Sequence, residues 1–475
     1  MKKKEILVLL FILLIAFLLR LYKINRPIAD WHSWRQADTA AVSRNFIKDG
    51  YTPLVPKYDD MSMQTNNKDN PQRFRFVEFP IYNSFIYFVW LFTGINTTAA
   101  RLVTVFITIA STAVLYFIVR NFSGIKTAAV SAFLFATLPY NVFYSSAILP
   151  GPLMVLALLC LYLSFLTWLR KGSKLFFLLS IVFANAAILT WPIALFFMLP
   201  IVYLSWEKYG ARFYKKGSLW ILAILSLAPF IAWRIWMLKF PEGIPSVQFL
   251  LNDGNIRFKG AFFRWLIAER IGKLILTVGG FALFIVGLTT KPEKKESLFY
   301  LSWLTSAILY FTVFASGNVR HDYYQIVAVP ILVIFTAKGF ISLITSGNFN
   351  QHVAKIVALF LFALVYAFGF YEIKGYYWVN KPQIVEAGEA VDKLLPKDAT
   401  VIAPYNGDSA FLYQTNRRGY PVVDRPMYKY IDQGTKYFVS VDPSDSGVAK
   451  LVQKCNVLKN TANFVIIELS KECLG

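Results

Sequence analysis

The sequence has few charged residues for its length. Only 16% of its 475 residues are charged, whereas 56% are hydrophobic and 17% are aromatic. A soluble domain usually has about a quarter charged residues and no more than half apolar ones. This composition excludes a soluble enzyme, a disordered protein and a coiled coil, and it indicates many segments that lie in lipid.

Cysteine is also scarce, because three residues are too few for a disulfide scaffold or a cysteine zinc cluster. Cys160 lies in an apolar run. Cys455 and Cys473 lie in the polar tail, where they either pair in an oxidising compartment or stay free. No Cys/His or carboxylate cluster has metal-ligand spacing, so we predict no bound metal and no other cofactor, although two loop acids can hold a divalent ion.

Acidic residues are scarce relative to basic ones. The chain has 27 Asp and Glu against 49 Lys and Arg, a formal net charge of +22. The tail from Glu372 to Gly475 contains thirteen basic and twelve acidic residues, so the excess lies in the apolar first 371 residues. Basic charge that flanks apolar segments is typical of membrane orientation and of contact with anionic lipids. We therefore predict membrane lipids, and not nucleic acid, as partners.

Apolar runs long enough to cross a bilayer recur along the chain. The first, Ile6 to Tyr22, follows Lys2, Lys3 and Lys4, which predicts a retained span with a cytoplasmic N-terminus. Ten further spans are expected near residues 100–120, 127–146, 152–169, 175–190, 193–205, 217–238, 272–290, 298–316, 323–344 and 355–371. Basic short loops on alternate sides, including Lys294 and Lys295, support this count of about eleven, which places the tail outside the cytoplasm.

The predicted fold is an all-α polytopic membrane protein with a small C-terminal α/β domain. Residues 1–378 form the membrane module, with long outer loops at 23–99 and 241–271, and residues 379–475 form the extracytoplasmic domain. Phe79 to Gly94 would invert the charge pattern if it crossed the membrane, so it is predicted to be a helix on the outer surface. In the tail, spacing predicts helices at 383–395 and 447–454, and strands at 399–403, 437–441 and 464–469.

Polar residues gather at the expected outer ends of spans in three clusters. These comprise Asp30, His32, Arg35 and Asp38; Glu78; and Arg320, His321, Tyr323 and Tyr324. Taken singly, each has a structural interpretation. The first cluster can be an interfacial anchor, Glu78 an acid at the start of a helix, and His321 an interfacial hydrogen bonder. Because polar groups at this depth are costly unless used or paired, the three clusters together favour a reaction on a lipid-linked phosphate.

Three motifs in these clusters resemble those of bacterial membrane glycosyltransferases of family 39. They are His32-Ser33-Trp34-Arg35-Gln36-Ala37-Asp38-Thr39-Ala40, Glu78-Phe79-Pro80 and His321-Asp322-Tyr323-Tyr324-Gln325. The family is related to the dolichyl-phosphate-mannose protein mannosyltransferases and to the lipid A aminoarabinose transferase. The resemblance implies the GT-C fold and transfer of a sugar, usually with inversion, from a polyprenyl phosphate to an acceptor protein, lipid or glycan outside the cytoplasm.

The resemblance also implies roles for particular residues. Asp38 matches the loop acid and is the expected general base, and Glu78 is the second choice or a ligand of sugar hydroxyls. The leaving phosphate needs cations, for which Arg35, Arg320 and His321 are the candidates. Further candidates for binding the substrate are Asp30, His32, Tyr323, Tyr324 and, as a weaker one that is equally a solvated loop charge, Lys57.

Two other classes of function stay open. A transporter or flippase of a lipid-linked sugar would also have many spans, but it would usually carry charges near the bilayer midplane. A non-catalytic relative is the third class. Gly151 favours it, because many relatives in the family have an acid at this position. Trp191, where many relatives have a lysine, is a second departure, and the two together imply altered donor binding or weak activity.

Overall fold

Apolar helices dominate the computed structural model, which describes residues 3–293, 296–345, 347 and 350–474. Lys2, Lys294 and Lys295, which contributed to the predicted charge pattern, lie outside these ranges. The chain divides into two units, which are described separately. Unit 1 comprises Met1–Ile24, Arg101–Arg234 and Val247–Gly375, and unit 2 comprises Asn25–Ala100, Ile235–Ser246 and Tyr376–Gly475.

Unit 1 is built from helices rich in Leu, Ile, Val and Phe, as expected for segments that satisfy their backbone hydrogen bonds internally in lipid. The α-helices are Lys3–Arg20, Thr97–Thr137 (whose first turn belongs to unit 2), Pro139–Tyr144, Gly151–Lys171, Lys174–Thr190, Leu199–Tyr209, Gly217–Met237, Phe249–Asn252, Gly260–Phe263, Thr277–Thr289, Phe299–Val313, Ala315–Arg320, Val329–Thr345 and Gln351–Ile373. Short 3₁₀ segments are Pro192–Met198, Gly210–Lys215, Asp253–Phe258, Tyr324–Ala328 and Lys374–Tyr377, and Arg264–Ile275 is a π-helix.

The structure confirms several apolar helices but not the predicted count of eleven spans. Among the described residues, five helices are long and apolar enough to cross a membrane, or six if a pair bent by 111° between Ile275 and Thr277 is one span. The predicted spans at 100–120 and 127–146 begin on opposite sides of a kink at Gly124, within the 41-residue segment Thr97–Thr137. Gly124 interrupts its helical dihedrals with φ 75° and ψ −177°, a conformation that glycine adopts readily.

Glycines let two pairs of helices in unit 1 approach at backbone distance. A Cβ atom on Gly287 would lie 1.8 Å from the carbonyl oxygen of Phe335, and one on Gly339 would lie 1.9 Å from that of Leu283. These contacts join Thr277–Thr289 to Val329–Thr345. Gly279 makes the same kind of approach to the carbonyl of Leu361 on the helix Gln351–Ile373. Small residues at such crossings are typical of helices that associate in membranes.

Unit 2 contains two helices of the first outer loop, Ser33–Lys48 and Ile81–Thr93, and the short 3₁₀ turn Pro241–Gly243. The second helix confirms the helix predicted over Phe79 to Gly94. The two helices are joined by a hydrogen bond of 2.6 Å from the Asn83 side chain to the carbonyl oxygen of Thr39. Nearly every residue of Ser33–Lys48 is buried, so the polar side chains on this helix need partners inside unit 2.

The C-terminal part of unit 2 is a small α/β fold, as predicted. Its five strands are β1 (Thr400–Ile402), β2 (Arg418–Tyr420), β3 (Tyr437–Ser440), β4 (Asn456–Asn460) and β5 (Val465–Glu468). They form one sheet in the order β2-β1-β3-β5-β4, where β1 pairs in parallel with β2 and β3, and β5 pairs antiparallel with β3 and β4. The helices are Gln383–Leu394, Ser409–Gln414, Met427–Asp432, Ser446–Lys454 and Lys471–Leu474. Cys455 and Cys473 form a disulfide beside this sheet.

Candidate active site

Asp38 lies on the buried helix Ser33–Lys48, and both of its carboxylate oxygens are hydrogen bonded or ion paired. Oδ2 lies 2.7 Å from the Arg75 guanidinium, and Oδ1 accepts a hydrogen bond of 2.6 Å from the hydroxyl of Ser409. Only 6% of the residue is exposed. A carboxylate buried to this extent is stable in its charged form only with such partners.

Arg35 lies on the same face of the helix as Asp38, one turn before it, and it binds the second predicted acid. One guanidinium nitrogen of Arg35 donates to both oxygens of Glu78, at 2.7 and 2.8 Å. Both side chains are about 10% exposed. The predicted residues Arg35, Asp38 and Glu78 are thus neighbours, and together with Arg75 and Asn83 they line one small pocket.

Two further carboxylates close to Asp38 were not expected from the sequence. Burial raises the pKa of Asp60 to about 6, with a smaller contribution from the negative charge of Asp38. Burial likewise raises the pKa of Asp408 to about 6, again with a contribution from Asp38. Asp38 therefore has one positively charged neighbour, Arg75, and two acidic neighbours whose pKa values are raised to about 6.

The remaining candidates of the first outer loop make contacts away from this pocket. Asp30 accepts hydrogen bonds from Arg26 and, at 2.8 Å, from Gln36. His32 has a left-handed φ of 53° and its ring lies 5.3 Å from that of Trp31. Lys57 is half-buried, with its ammonium 5.8 Å from the Phe74 ring. None of the three predicted residues is among the described residues that line the pocket with Asp38.

The third cluster lies in unit 1, around the end of the helix Ala315–Arg320. Arg320 is half exposed and forms an ion pair with Asp253. The His321 ring lies 5.6 Å from the ring of Tyr323 and 5.1 Å from that of Tyr324. Of the predicted cation pair, Arg320 is thus oriented by an acid, whereas His321 lies against aromatic rings.

Asp322 and Arg270 belong to this cluster and were missed as candidates. Asp322 is 1% exposed, accepts a hydrogen bond of 2.6 Å from the hydroxyl of Tyr144, and lies 3.7 Å from the guanidinium of Arg270. The Nε atom of Arg270 is buried and has no hydrogen-bond partner among the described residues. Asp322 lies inside the third motif, which could have identified it as a candidate. Arg270 lies in a part of the second outer loop that contains no motif, so no sequence pattern pointed to it.

The two positions that differ from many relatives are neighbours in unit 1. A Cβ atom on Gly151 would lie 3.0 Å from Ile326 and 3.4 Å from the ring of Trp191. That ring in turn packs edge-on against Tyr324, with centroids 5.2 Å apart. Trp191 thus lies where a larger side chain at position 151 would extend.

In the parts of the chain that the structure describes, no three His, Cys, Asp or Glu side chains converge at a position that would hold a metal ion. The independence from cofactors stays a prediction from the sequence.

Comparison with known proteins agrees with this architecture. The family model described as dolichyl-phosphate-mannose-protein mannosyltransferase matches residues 80–236. No curated protein sequence matches the chain. Among solved structures, ArnT from Cupriavidus metallidurans bound to undecaprenyl phosphate has a TM-score of 0.65 at 14% sequence identity, over 99% of this chain and 98% of that one.

Two archaeal structures share the fold as well. The Archaeoglobus fulgidus oligosaccharyltransferase in its apo form has a TM-score of 0.58 at 12% identity, over 94% of this chain and 71% of that one. AglB from the same organism, in complex with an inhibitory peptide and a dolichol-phosphate, has a TM-score of 0.55 at 12% identity, over 100% and 77%. The predicted resemblance to membrane glycosyltransferases and their GT-C fold is therefore confirmed, and the chain is a multi-pass membrane protein.

Proposed function

We propose that the protein transfers a sugar from a polyprenyl-phosphate donor to an acceptor hydroxyl on the extracytoplasmic side of the membrane, with inversion and with Asp38 as the general base. The observation that carries this proposal is the pocket that gathers Asp38, Arg35 and Glu78 within a GT-C fold. The undecaprenyl phosphate and dolichol-phosphate in the two similar structures support a donor of the same class.

The chemistry needs a proton acceptor beside the attacking hydroxyl. An ionised carboxylate has about four lone-pair positions, and the contacts to Arg75 and Ser409 use one on each oxygen of Asp38. The remaining lone pairs are available to the acceptor hydroxyl, which loses its proton as its oxygen attacks the anomeric carbon. Positioned proton transfer of this kind typically accelerates a reaction by about 10²–10⁴-fold.

The leaving group is a polyprenyl phosphate, which is already an anion and needs positive charge rather than a proton. Arg320 and His321 are the proposed phosphate contacts. For Arg320 the reason is that a guanidinium donates two parallel hydrogen bonds to phosphate oxygens. Arg35 is bound to Glu78, so its proposed role shifts from a phosphate ligand to holding Glu78 for the sugar hydroxyls.

The test is a transfer assay with purified protein in detergent and a synthetic polyprenyl-phosphate sugar. We expect Asp38→Asn to abolish transfer while expression and membrane insertion stay normal, because the amide cannot accept the proton. Asp398→Asn, which changes an exposed acid of the same unit, is the matched control and is expected to retain full activity.

Three results would redirect the proposal. Full transfer by Asp38→Asn rejects Asp38 as the base. Absence of transfer and of donor hydrolysis by the wild-type protein, combined with movement of the intact donor across liposomes, identifies a flippase instead. Absence of all three activities identifies a non-catalytic relative, which is the class that the missing acid at Gly151 favours.

A further inference from the structure

The helix Ser409–Gln414 of the C-terminal α/β part begins directly against the helix that carries Asp38. Its N-cap is Asp408, whose carboxylate accepts a hydrogen bond of 2.7 Å from the backbone amide of Ala410. A cap of this kind fixes the first helical residue in space. That first residue is Ser409, which is buried and is separated from Asp38 by 371 positions in the sequence.

The Ser409 hydroxyl has two acceptors within reach. It lies 2.6 Å from Oδ1 of Asp38 and 3.2 Å from the carbonyl oxygen of Trp34. A hydroxyl has one proton to donate, and the shorter contact to a charged acceptor is the stronger of the two. The hydroxyl therefore serves mainly as a donor to the candidate base.

The second oxygen of Asp38 is held by a different segment. Arg75 comes from the stretch before the helix Ile81–Thr93, its guanidinium lies 2.7 Å from Oδ2, and it also stacks 5.0 Å from the Tyr58 ring. With one partner on each oxygen, the carboxylate plane of Asp38 cannot rotate without breaking a hydrogen bond or an ion pair. Orientation of a reacting group to this degree is a substantial part of enzymatic rate enhancement.

We propose that Ser409 is a positioning residue, through which the C-terminal α/β part orients the Asp38 carboxylate for proton abstraction. This inference rests on the proposed function. It assigns a role in the reaction to a part of the chain whose role the sequence left open between recognising the acceptor, covering the site and packing.

Charged and titratable groups face Asp38 from several segments. Arg75 faces it with a positive charge, Asp60 and Asp408 with pKa values raised to about 6, and the neutral Tyr58 with a pKa raised well above its usual value by burial. The pair of Arg35 and Glu78 lines the same pocket. The Ser409 hydroxyl adds a hydrogen bond to this surrounding without adding a charge of its own.

The experiment measures kcat and the donor KM for the wild-type protein, Ser409→Ala and Ser409→Thr. For Ser409→Ala we expect kcat to fall about tenfold with little change in KM, because a hydrogen bond to a charged group contributes enough free energy for about a tenfold change in rate. Ser409→Thr keeps the hydroxyl and is expected to restore kcat.

Ser446→Ala is the matched control, because Ser446 also follows a capping aspartate, Asp445, at the start of a helix in the same unit, yet it is exposed. Repeating Ser409→Ala in an Asp408→Asn background, where the cap is retained, tests whether the fall in kcat depends on the charge of Asp408. An equal fall in kcat there assigns the effect to the contact between Ser409 and Asp38.

The positioning role and the proposed function can be overturned separately. An active wild-type protein whose kcat is unchanged by Ser409→Ala overturns the positioning role and leaves the proposed function intact. A fall in kcat accompanied by a large rise in KM, or without rescue by Ser409→Thr, shows a merely structural serine and also overturns it. An inactive wild-type protein overturns the proposed function itself.

Discussion

Charged side chains at the candidate site lie in a largely buried environment, where leaving a charge without a partner costs several kcal/mol. Asp38 meets this cost with Arg75 and Ser409, and Glu78 meets it with Arg35. Removing one partner therefore affects the other, so variants at these positions should be compared as pairs. The proposed base and the residues around it form one electrostatic unit.

Arg320 gives a prediction at the scale of a single residue. We expect Arg320→Ala to raise the donor KM several-fold with a smaller effect on kcat, because the guanidinium is half exposed and the proposed interaction with phosphate is screened by solvent. The measurement is initial transfer rate against donor concentration. Arg264→Ala, which removes a strongly exposed arginine of the same unit, is the control and should leave KM unchanged.

An unchanged KM in Arg320→Ala would assign the phosphate to other cations of unit 1. The buried Arg270 would then be examined next, since its guanidinium faces Asp322 at 3.7 Å. If Arg320→Ala lowers the yield of folded protein rather than its affinity for the donor, the ion pair between Arg320 and Asp253 is structural.

The candidate residues that line the pocket could be picked out from the sequence, but the residues they contact could not. Asp38, Arg35 and Glu78 stand in local patterns of acid, cation and aromatic residues. Ser409 is an ordinary serine in a polar tail, and only folding across 371 positions brings its hydroxyl to Asp38. The pKa values of Asp60 and Asp408 depend on burial, which no local pattern in a loop reveals.

At the scale of secondary-structure elements, the crossing of Thr277–Thr289 with Val329–Thr345 depends on glycine. A methyl group on Gly287 would overlap the Phe335 carbonyl, and the backbone cannot give way as a flexible side chain can. We expect Gly287→Ala to destabilise the membrane unit by about 2 kcal/mol or more. The measurement is the thermal unfolding midpoint of the purified protein in detergent.

Gly217→Ala is the control for that prediction. Gly217 also lies in a helix of unit 1, but a Cβ atom there would meet nothing within 4 Å. We expect its midpoint to match that of the wild type. Equal unfolding midpoints for Gly287→Ala and Gly217→Ala would mean that Thr277–Thr289 and Val329–Thr345 can move apart for a methyl group with no loss of stability, contrary to the close packing described above.

Hydrophobic periodicity predicted helices better than it predicted their boundaries or the short strands. Gln383–Leu394 has a clear apolar face, and the structure places a helix there within one residue of the prediction. Arg418–Tyr420 is a three-residue edge strand with an exposed arginine, so it has no alternation to detect.

For the whole molecule, the side of the membrane on which the tail lies also fixes the side of the candidate site. Asp38 and Ser409 are 2.6 Å apart within one unit, so they face the same compartment. The disulfide between Cys455 and Cys473 supports an oxidising compartment for the tail, since such bonds are rare in the cytoplasm. The tail and the candidate base are therefore proposed to face the extracytoplasmic side together.

Thiol labelling in intact cells tests this topology. The Cys160→Ser variant leaves Cys455 and Cys473 as the only cysteines, because the chain contains three. We expect a membrane-impermeant maleimide to label these two residues only after treatment with an impermeant reductant, because the disulfide first blocks them and the bilayer does not shield them. Labelling that needs permeabilised cells would place the tail in the cytoplasm. Asp38 would then face the cytoplasm as well, and transfer at the outer leaflet would be impossible.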